Sequence, residues 1–357
     1  MISSFSSLAR ITKPAAAAAA GGTSTNVIVI GAGTSANFGR SSDFGATWTF
    51  GTIPGITLNN KFQICCGNVN SAPLWVFVGS TGTMLVSFNT TNGTTWSSIS
   101  NSISSIITNS TTSTYCTSLA FGNGVFMASG FTGVYADGAP VAISADGITW
   151  SNGGTPHPNK LTNAVTFGNG YWVAVPNQGV IANNVMMSTN VSIANVGSIT
   201  WSAANTIPND PLYSVLYNGS KWFVGYYGKL YYSASNLPTS SFAAKGFTPT
   251  GDIAYTLSYS PNGTLVIGTQ NAGGGGTSRV YKIDFGSTST FIATGGGGGI
   301  YTLNTTDVVN SDISLNGSAY FSGNKAVIST DNGTSWTAIT GINTNLTTGC
   351  YGVAFAK

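Results

Sequence analysis

Residues 144–150 read Ser-Ala-Asp-Gly-Ile-Thr-Trp, and two longer versions of the pattern are present. Residues 41–48 read Ser-Ser-Asp-Phe-Gly-Ala-Thr-Trp, and residues 329–336 read Ser-Thr-Asp-Asn-Gly-Thr-Ser-Trp. Weaker copies surround Trp96 and Trp201. Sequence repeats with a period of roughly 20 to 50 residues are typical of solenoids, propellers and arrays. The pattern therefore predicts a repeat architecture.

Each repeat contains four segments that are patterned as β-strands. The first segment ends in Gly-Asn-Gly, as at residues 122–124 and 168–170, and Asn-Gly between apolar runs is the strongest short signal for a hairpin. The second segment is the most apolar, the third runs into the Ser-x-Asp sequence, and the fourth opens with the Trp. Four antiparallel strands per repeat are typical of a propeller blade.

The number of repeats predicts the number of blades. The segment at the start, 25–53, supplies three strands without a first one, and the segment at the end, 348–355, supplies a first strand alone. Joining them in one blade removes an exposed sheet edge. We therefore predict an all-β fold, a seven-bladed β-propeller over residues 25–357. Its ring would be closed by N- and C-terminal strands that share one blade. Six or eight blades are the alternatives. The complete units are 60–106, 114–157, 160–206, 211–247, 250–295 and 300–340.

The Ser-x-Asp pattern itself predicts a structural turn. An Asp side chain accepts hydrogen bonds from the backbone that follows it, and a neighbouring Gly tolerates positive φ. The Trp is expected to cover the turn, and in the weaker copies Asn190 takes the place of the Asp and Phe242 that of the Trp. We predict this structural role, and no catalytic one, for Ser41, Asp43, Gly45, Trp48, Ser144, Asp146, Gly147, Trp150, Ser329, Asp331, Gly333 and Trp336.

The turn pattern resembles the Asp-box, or BNR, repeat of sialidase-like β-propellers. That resemblance rests on two full copies and one short copy, and it implies that the turns are folding devices on the blade edge. Most of residues 60–357 also resembles propellers encoded by phages and large DNA viruses, which are often virion-associated. The sequence Phe-Gly-Asn-Gly, followed later by Ile-Ser-x-Asp-Gly-Ile-Thr-Trp, carries this second resemblance.

The composition excludes several classes of partner. Charged residues make up 6% of the 357 residues, and the net charge is only +3. No basic run is present to neutralise several phosphates, so we expect no nucleic acid partner. No apolar stretch approaches the roughly 20 residues that a membrane-spanning helix needs, so we expect no membrane insertion. The sequence contains no metal or cofactor motif, and we expect neither group.

The sialidase resemblance implies an arginine triad, a Tyr nucleophile with a Glu partner, and an Asp acid. This chain has three arginines, with Arg10 outside the predicted propeller, and no Glu. We therefore predict that it is not an enzyme. The single imidazole, His157, is expected to be a solvated loop residue. A divergent glycoside hydrolase stays as a third reading, because two carboxylates suffice for that chemistry. Its pair would come from Asp137, Asp210, Asp252, Asp284, Asp307 and Asp312.

A tyrosine-rich stretch is the candidate ligand site. Tyr226, Tyr227, Tyr231 and Tyr232 lie around Lys229 in the sequence. Aromatic rings offer flat apolar surface together with a polar tip, which suits the C–H faces and hydroxyls of sugars. The alternative is that these rings pack between blades.

Residues 1–24 do not fit the repeat. They comprise a short segment that ends at Pro14, six alanines at 15–20, and two glycines. We expect a docking arm and linker that holds the propeller on a larger assembly. A removable targeting segment and plain disorder are the alternatives.

Together these observations predict a non-enzymatic protein of the virion surface, such as a tail, fibre or capsid decoration. Its propeller would bind host surface glycans or neighbouring structural subunits, and residues 1–24 would dock to other virion structural proteins. The alternative is a secreted, extracellular, lectin-like propeller that binds carbohydrate.

Overall fold

A computed structural model gives the fold of this chain. It describes residues 28–32, 37–42, 47–53, 56, 59–81, 84–107, 114–132, 138, 140–158, 160–176, 184–208, 211–246, 252–259, 264–271, 279–285, 291–293, 300–301, 327–328, 337–338 and 350–355. The docking arm predicted at 1–24 lies outside these residues.

The described part of the chain is built from β-strands and two short 3-10 turns, η1 (Ser102–Ser105) and η2 (Ile193–Asn195). No helix in this part has the length and apolar character needed to cross a bilayer. The strands are β1 (Ile28–Ala32), β2 (Asn37–Ser41), β3 (Thr49–Thr52), β4 (Asn59–Val69), β5 (Ala72–Ser80), β6 (Leu85–Thr90), β7 (Thr114–Gly122), β8 (Val125–Thr132), β9 (Ala142–Ser144), β10 (Ser151–Asn152), β11 (Thr162–Gly168), β12 (Tyr171–Pro176), β13 (Val185–Ser188), β14 (Ser202–Asn205), β15 (Ser214–Tyr217), β16 (Trp222–Tyr226), β17 (Lys229–Ser233), β18 (Phe242–Gly246), β19 (Asp252–Tyr259), β20 (Thr264–Asn271), β21 (Arg279–Phe285), β22 (Phe291–Ala293), β23 (Ile300–Tyr301), β24 (Val327–Ile328), β25 (Thr337–Ala338) and β26 (Cys350–Phe355).

The strands pair into antiparallel sheets that follow one another along the chain. Sheet 1 has the order β26-β1-β2-β3, sheet 2 contains β4 to β6, sheet 3 contains β7 to β10, sheet 4 contains β11 to β14, and sheet 5 contains β15 to β18. Sheet 6 contains β19 to β22, with β23 paired to β21, while β24 pairs with β25. Sheets 1, 3, 4 and 5 thus have the four antiparallel strands that the repeat predicted.

Sheet 1 contains strands from both ends of the described chain. In the pairing of β26 with β1, Ile28 lies opposite Phe355 and Ile30 lies opposite Val353. The C-terminal strand therefore takes the place of the first strand that residues 25–53 lack. A count of seven blades and the closure of the ring stay predictions.

Consecutive sheets pack face to face, and the hydrophobic core lies between them. On β8, Phe126 and Ala128 pack toward sheet 2, whereas Val125 and Met127 pack toward sheet 4. This alternation follows from the two-residue period of a strand. Similar apolar clusters join sheet 1 to sheet 2, sheet 4 to sheet 5, and sheet 5 to sheet 6. The first strands β26, β4, β7, β11, β15 and β19 also contact one another in that order.

A glycine near the end of the first strand receives an aromatic ring from the next sheet. A Cβ atom at Gly122, for example, would overlap the side chain of Phe167. The same close approach explains the repeated Phe-Gly pair, because the Phe packs on the preceding sheet and the Gly leaves room for the following one. The contacts are Gly67 with Phe121, Gly122 with Phe167, and Gly168 with Tyr217.

Candidate functional site

The turn at residues 144–150 is a compact network around the Asp146 carboxylate. Its Oδ1 accepts hydrogen bonds from the N–H groups of Ile148 and Thr149, both at 2.8 Å, and from Ser144 Oγ at 2.9 Å. Ser144 Oγ in turn accepts from the N–H of Gly147 at 2.8 Å, and Gly147 has φ of +75°. Partial burial of Asp146 acts to raise the pKa of its carboxyl, but these hydrogen bonds outweigh burial and lower the pKa below its usual value.

This turn also fastens sheet 3 to sheet 2. The indole N–H of Trp150 donates to Ser87 Oγ of β6 at 2.9 Å. Asn89 of the same strand donates from its side-chain amide to the carbonyl of Asp146 at 2.6 Å. The Asp146 carboxylate is therefore occupied in holding its own turn, while the rest of the turn binds the neighbouring sheet.

Two weaker copies use an Asn in place of the Asp. Asn92 Oδ1 accepts from the N–H groups of Thr94 and Thr95 at 2.9 and 2.8 Å. Asn190 Oδ1 accepts from Ser188 Oγ at 2.9 Å and from the N–H of Thr200 at 3.1 Å. An amide oxygen is enough for this turn, so the negative charge of an Asp is not essential to it.

The other predicted turns are described only in part. Ser41 is buried, and Trp48 stacks on Phe50 with ring centroids 6.5 Å apart. Asp43, Gly45, Ser329, Asp331, Gly333 and Trp336 lie outside the described residues.

The predicted ligand residues lie on one hairpin of sheet 5, in two separate surroundings. Tyr226 ends β16 and Lys229 begins β17, with Tyr227 and Gly228 at the tip between them. The Tyr226 ring is edge-on to that of Tyr227, with centroids 6.5 Å apart. Tyr227 is 43% exposed and Lys229 is also exposed. These side chains present aromatic and cationic surface at one end of the sheet.

Tyr231 and Tyr232 are placed differently from this exposed tip. Tyr231 is buried between sheets 4 and 5, where its hydroxyl donates to the carbonyl of Pro208 at 3.1 Å and its ring lies edge-on to Tyr226 at 6.0 Å. Tyr232, the next residue along the strand, faces sheet 6 instead. Tyr231 thus supports the tip from beneath, and Tyr232 is directed away from it.

The structure adds a tyrosine that the sequence pattern missed. The N–H of Tyr213 donates to the carbonyl of Gly225 at 2.9 Å, which brings this residue to the hairpin tip. Burial raises the pKa of Tyr213 to about 12, and the neighbouring phenols of Tyr226 and Tyr227 add to that rise. We call Tyr213, Tyr226 and Tyr227 the tyrosine cluster. No sequence signal identified Tyr213, because it lies 13 residues before Tyr226, immediately ahead of another strand.

His157 is not the solvated loop residue that the sequence suggested, and that prediction is wrong. Its side chain is only 2% exposed. Nε2 lies 3.2 Å from the carbonyl oxygen of Asn184 and Nδ1 lies 3.2 Å from Thr162 Oγ1. A carbonyl oxygen only accepts, so Nε2 carries the proton in the neutral ring. Burial lowers the pKa of His157 to about 4, against a smaller opposing effect of the Asn184 hydrogen bond.

Metal ligands and paired carboxylates are the other candidate sites to consider among the described residues. No group of three or more His, Cys, Asp or Glu side chains suited to a metal ion occurs among them. The Asp side chains proposed for a hydrolase pair lie outside the residues whose side chains the structure describes.

No protein-family model and no curated protein sequence matches the chain. The fold is similar to that of a putative 6-phosphogluconolactonase from Bacteroides fragilis, with a TM-score of 0.57, 9% identity, and coverage of 95% of this chain and 100% of that one. It is also similar to the six-bladed β-propeller lectin of Aleuria aurantia, which recognises fucose, with a TM-score of 0.46, 12% identity, and coverage of 75% and 94%. These likenesses concern the fold, and they transfer no activity or ligand to this chain. The antiparallel sheets that follow one another along the chain identify it as an all-β protein of the β-propeller type.

Proposed function

We propose that this chain is a non-enzymatic β-propeller that binds glycans at the tyrosine cluster. The observation that carries the proposal is the hairpin tip of sheet 5, where the exposed ring of Tyr227 stands beside Tyr226 on a rigid support. Flat rings cover the apolar faces of sugars, and phenol hydroxyls can donate to sugar oxygens. Binding residues are commonly placed on loops that a rigid scaffold positions.

Two contacts support the tip, one with Tyr231 and one with sheet 6. Tyr231 packs under Tyr226 and is anchored to Pro208 by its hydroxyl. Tyr227 forms a backbone bridge to Ile253 of sheet 6. A ring that is already held in place loses less conformational entropy when a ligand binds. This arrangement favours recognition of a ligand surface.

The absence of enzymatic activity is part of the proposal. It is supported by the missing Glu and by the presence of only three arginines, which leave no complete sialidase set. It is also supported by the one described Asp side chain in a Ser-x-Asp turn, Asp146, whose carboxylate is occupied by its own turn.

We also propose that the propeller has seven blades and that the shared sheet 1 closes its ring. The pairing of β26 with β1 supports this, since a closed ring brings the two ends of the chain into one blade. The role as a virion appendage, the docking of residues 1–24, and the location on a virion or in secretion stay predictions.

The test is binding of the purified chain to an array of neutral, carboxylated and sulfated glycans. Substitution Tyr227→Ala should weaken binding about tenfold, which is the upper range for one aromatic contact. The matched control is Leu237→Ala, because Leu237 is similarly exposed in the connection beyond the opposite end of β17 and its substitution should leave binding unchanged. Equal binding by wild type and Tyr227→Ala, or no binding to any glycan, would overturn the proposal.

A further inference from the structure

We propose that the tyrosine cluster takes anionic glycans, whose sugar rings carry a carboxylate or a sulfate group. This inference rests on the glycan-binding function proposed above and specifies the chemistry of the ligand. It is argued from the charge of sheet 5, from the position of Lys229, and from the hydrogen-bonding groups at the tip.

Positive charge is concentrated on the segment that forms sheet 5. Residues 211–247 contain three lysines and no acidic residue, a charge equal to the +3 of the whole chain. Residues 114–157, which form sheet 3, contain two Asp and no Lys or Arg. Asp210 and Asp252 flank this segment in the sequence, and their side chains lie outside the described ones. An anionic ligand is therefore attracted to sheet 5 in preference to sheet 3.

Lys229 brings part of this charge to the tyrosine cluster. It is the register partner of Tyr226 across the hairpin, and directly opposed residues of an antiparallel pair project from the same face of the sheet. Its side chain is exposed. Lys221 instead lies before the start of β16, where its Nζ donates to the carbonyls of Ser233 and Ala234 at 3.0 and 3.1 Å. Of these two lysines, Lys229 is the one placed beside the cluster.

The Lys229 ammonium at the tip matches an acceptor better than a donor. An ammonium group has donors and no acceptor. An ionised carboxylate or sulfate has only acceptors, and charge-assisted hydrogen bonds to such oxygens are stronger than those to neutral hydroxyls. The site therefore favours an anionic sugar over its neutral counterpart.

The test uses three versions of one oligosaccharide on the same support: neutral lactose, lactose oxidised to a carboxylate at C6, and lactose with a 3′-sulfate. A wider array of neutral, carboxylated and sulfated glycans runs in parallel, so that the outcome does not depend on one sugar. We expect the anionic forms to bind about fivefold more tightly, and the difference to shrink at high salt. The two anionic arms separate a preference for carboxylate from one for sulfate. Equal binding of neutral and anionic glycans overturns the inference.

Two matched lysine substitutions locate the effect. Lys229→Gln should weaken anionic glycan binding about fivefold, and it should weaken binding of the neutral glycan by a smaller factor. Lys221→Gln removes the same charge from the other end of the sheet and should stay within about twofold of wild type. Equal weakening by both variants indicates general attraction and refutes a site at the tip.

The outcomes also separate this inference from the proposed function. If neutral glycans bind as well as anionic ones and Tyr227→Ala weakens that binding about tenfold, the proposed function stands and the anionic preference is refuted. If no glycan binds in any arm, the proposed function itself is refuted.

Discussion

The buried imidazole of His157 should make the stability of this protein depend on pH in a window where almost nothing else titrates. The chain has one His and no Glu, and the ordinary pKa of an Asp side chain, about 3.9, lies below the range from pH 7 to pH 5. Below about pH 6.5 the unfolded chain binds a proton at His157, while the folded chain resists protonation until about pH 4. Folding stability is therefore present at neutral pH and is lost as the pH falls from 6.5 toward 4.

The magnitude follows from the two pKa values. With about 4 in the folded state and 6.5 in the unfolded state, the free energy of unfolding should fall by about 2 kcal/mol between pH 7 and pH 5. The assay is equilibrium unfolding in urea at each pH. Substitution His157→Gln should flatten this pH dependence, whatever its effect on absolute stability. The single imidazole also gives one resonance by NMR, which should not titrate above pH 5.

Two results would refute this reasoning. One is an unchanged pH slope in His157→Gln, which would mean that another group carries the dependence. The other is an imidazole resonance that titrates near pH 6.5, which would place the ring in solvent.

Three further predictions concern the stability of the fold, and each is measured by equilibrium unfolding in urea. Asp146→Ala should lower the free energy of unfolding by about 1–2 kcal/mol because the turn loses its hydrogen-bond acceptor. Asp146→Asn should lower it by less than about 1 kcal/mol, because an amide oxygen serves in the Asn-based turns. Equal losses for the two variants would contradict the role of those turns. Trp222→Phe removes the indole hydrogen bond to the Asn236 carbonyl, whereas the Trp172 indole N–H has no partner among the described residues. Trp222→Phe should therefore lower the free energy of unfolding by about 1 kcal/mol more than Trp172→Phe. The reverse order would refute this prediction. Gly122→Ala should lower the free energy of unfolding by about 1–3 kcal/mol, because the new methyl group overlaps the Phe167 ring. The loss should be much smaller when Phe167 is also changed to Ala. Additive losses would show that the two residues do not compete for space.

Features that depend on local sequence were the most predictable. The 144–150 turn closes within a few residues, so its Ser, Asp and Gly could be assigned from their spacing alone. The four-strand repeat likewise followed from the Asn-Gly hairpins and the apolar segments between them. Both are short-range patterns, and each occurs several times in the sequence because the chain is built from repeats.

Features that depend on contacts between distant segments were not predictable in this way. His157 is buried by a hydrogen bond to Asn184, 27 residues away, and nothing beside it in the sequence indicates that partner. The tyrosine stretch read as one group, but the strand alternates its faces, so Tyr231 and Tyr232 point to different neighbouring sheets. Tyr213 joins the cluster through the pairing of β15 with β16, which only the fold reveals.

The pairing of β1 with β26 has a mechanical consequence. Ile28 and Phe355 lie opposite each other, so the two ends of the described chain leave sheet 1 at the same corner. Tension between these ends acts along the inter-strand hydrogen bonds, which run perpendicular to antiparallel strands, and breaks them one pair at a time. This is unzipping, which resists force far less than shearing all the pairs at once. A pull on the two ends would therefore peel these strands apart first, while sheets 2 to 6 stay packed on one another.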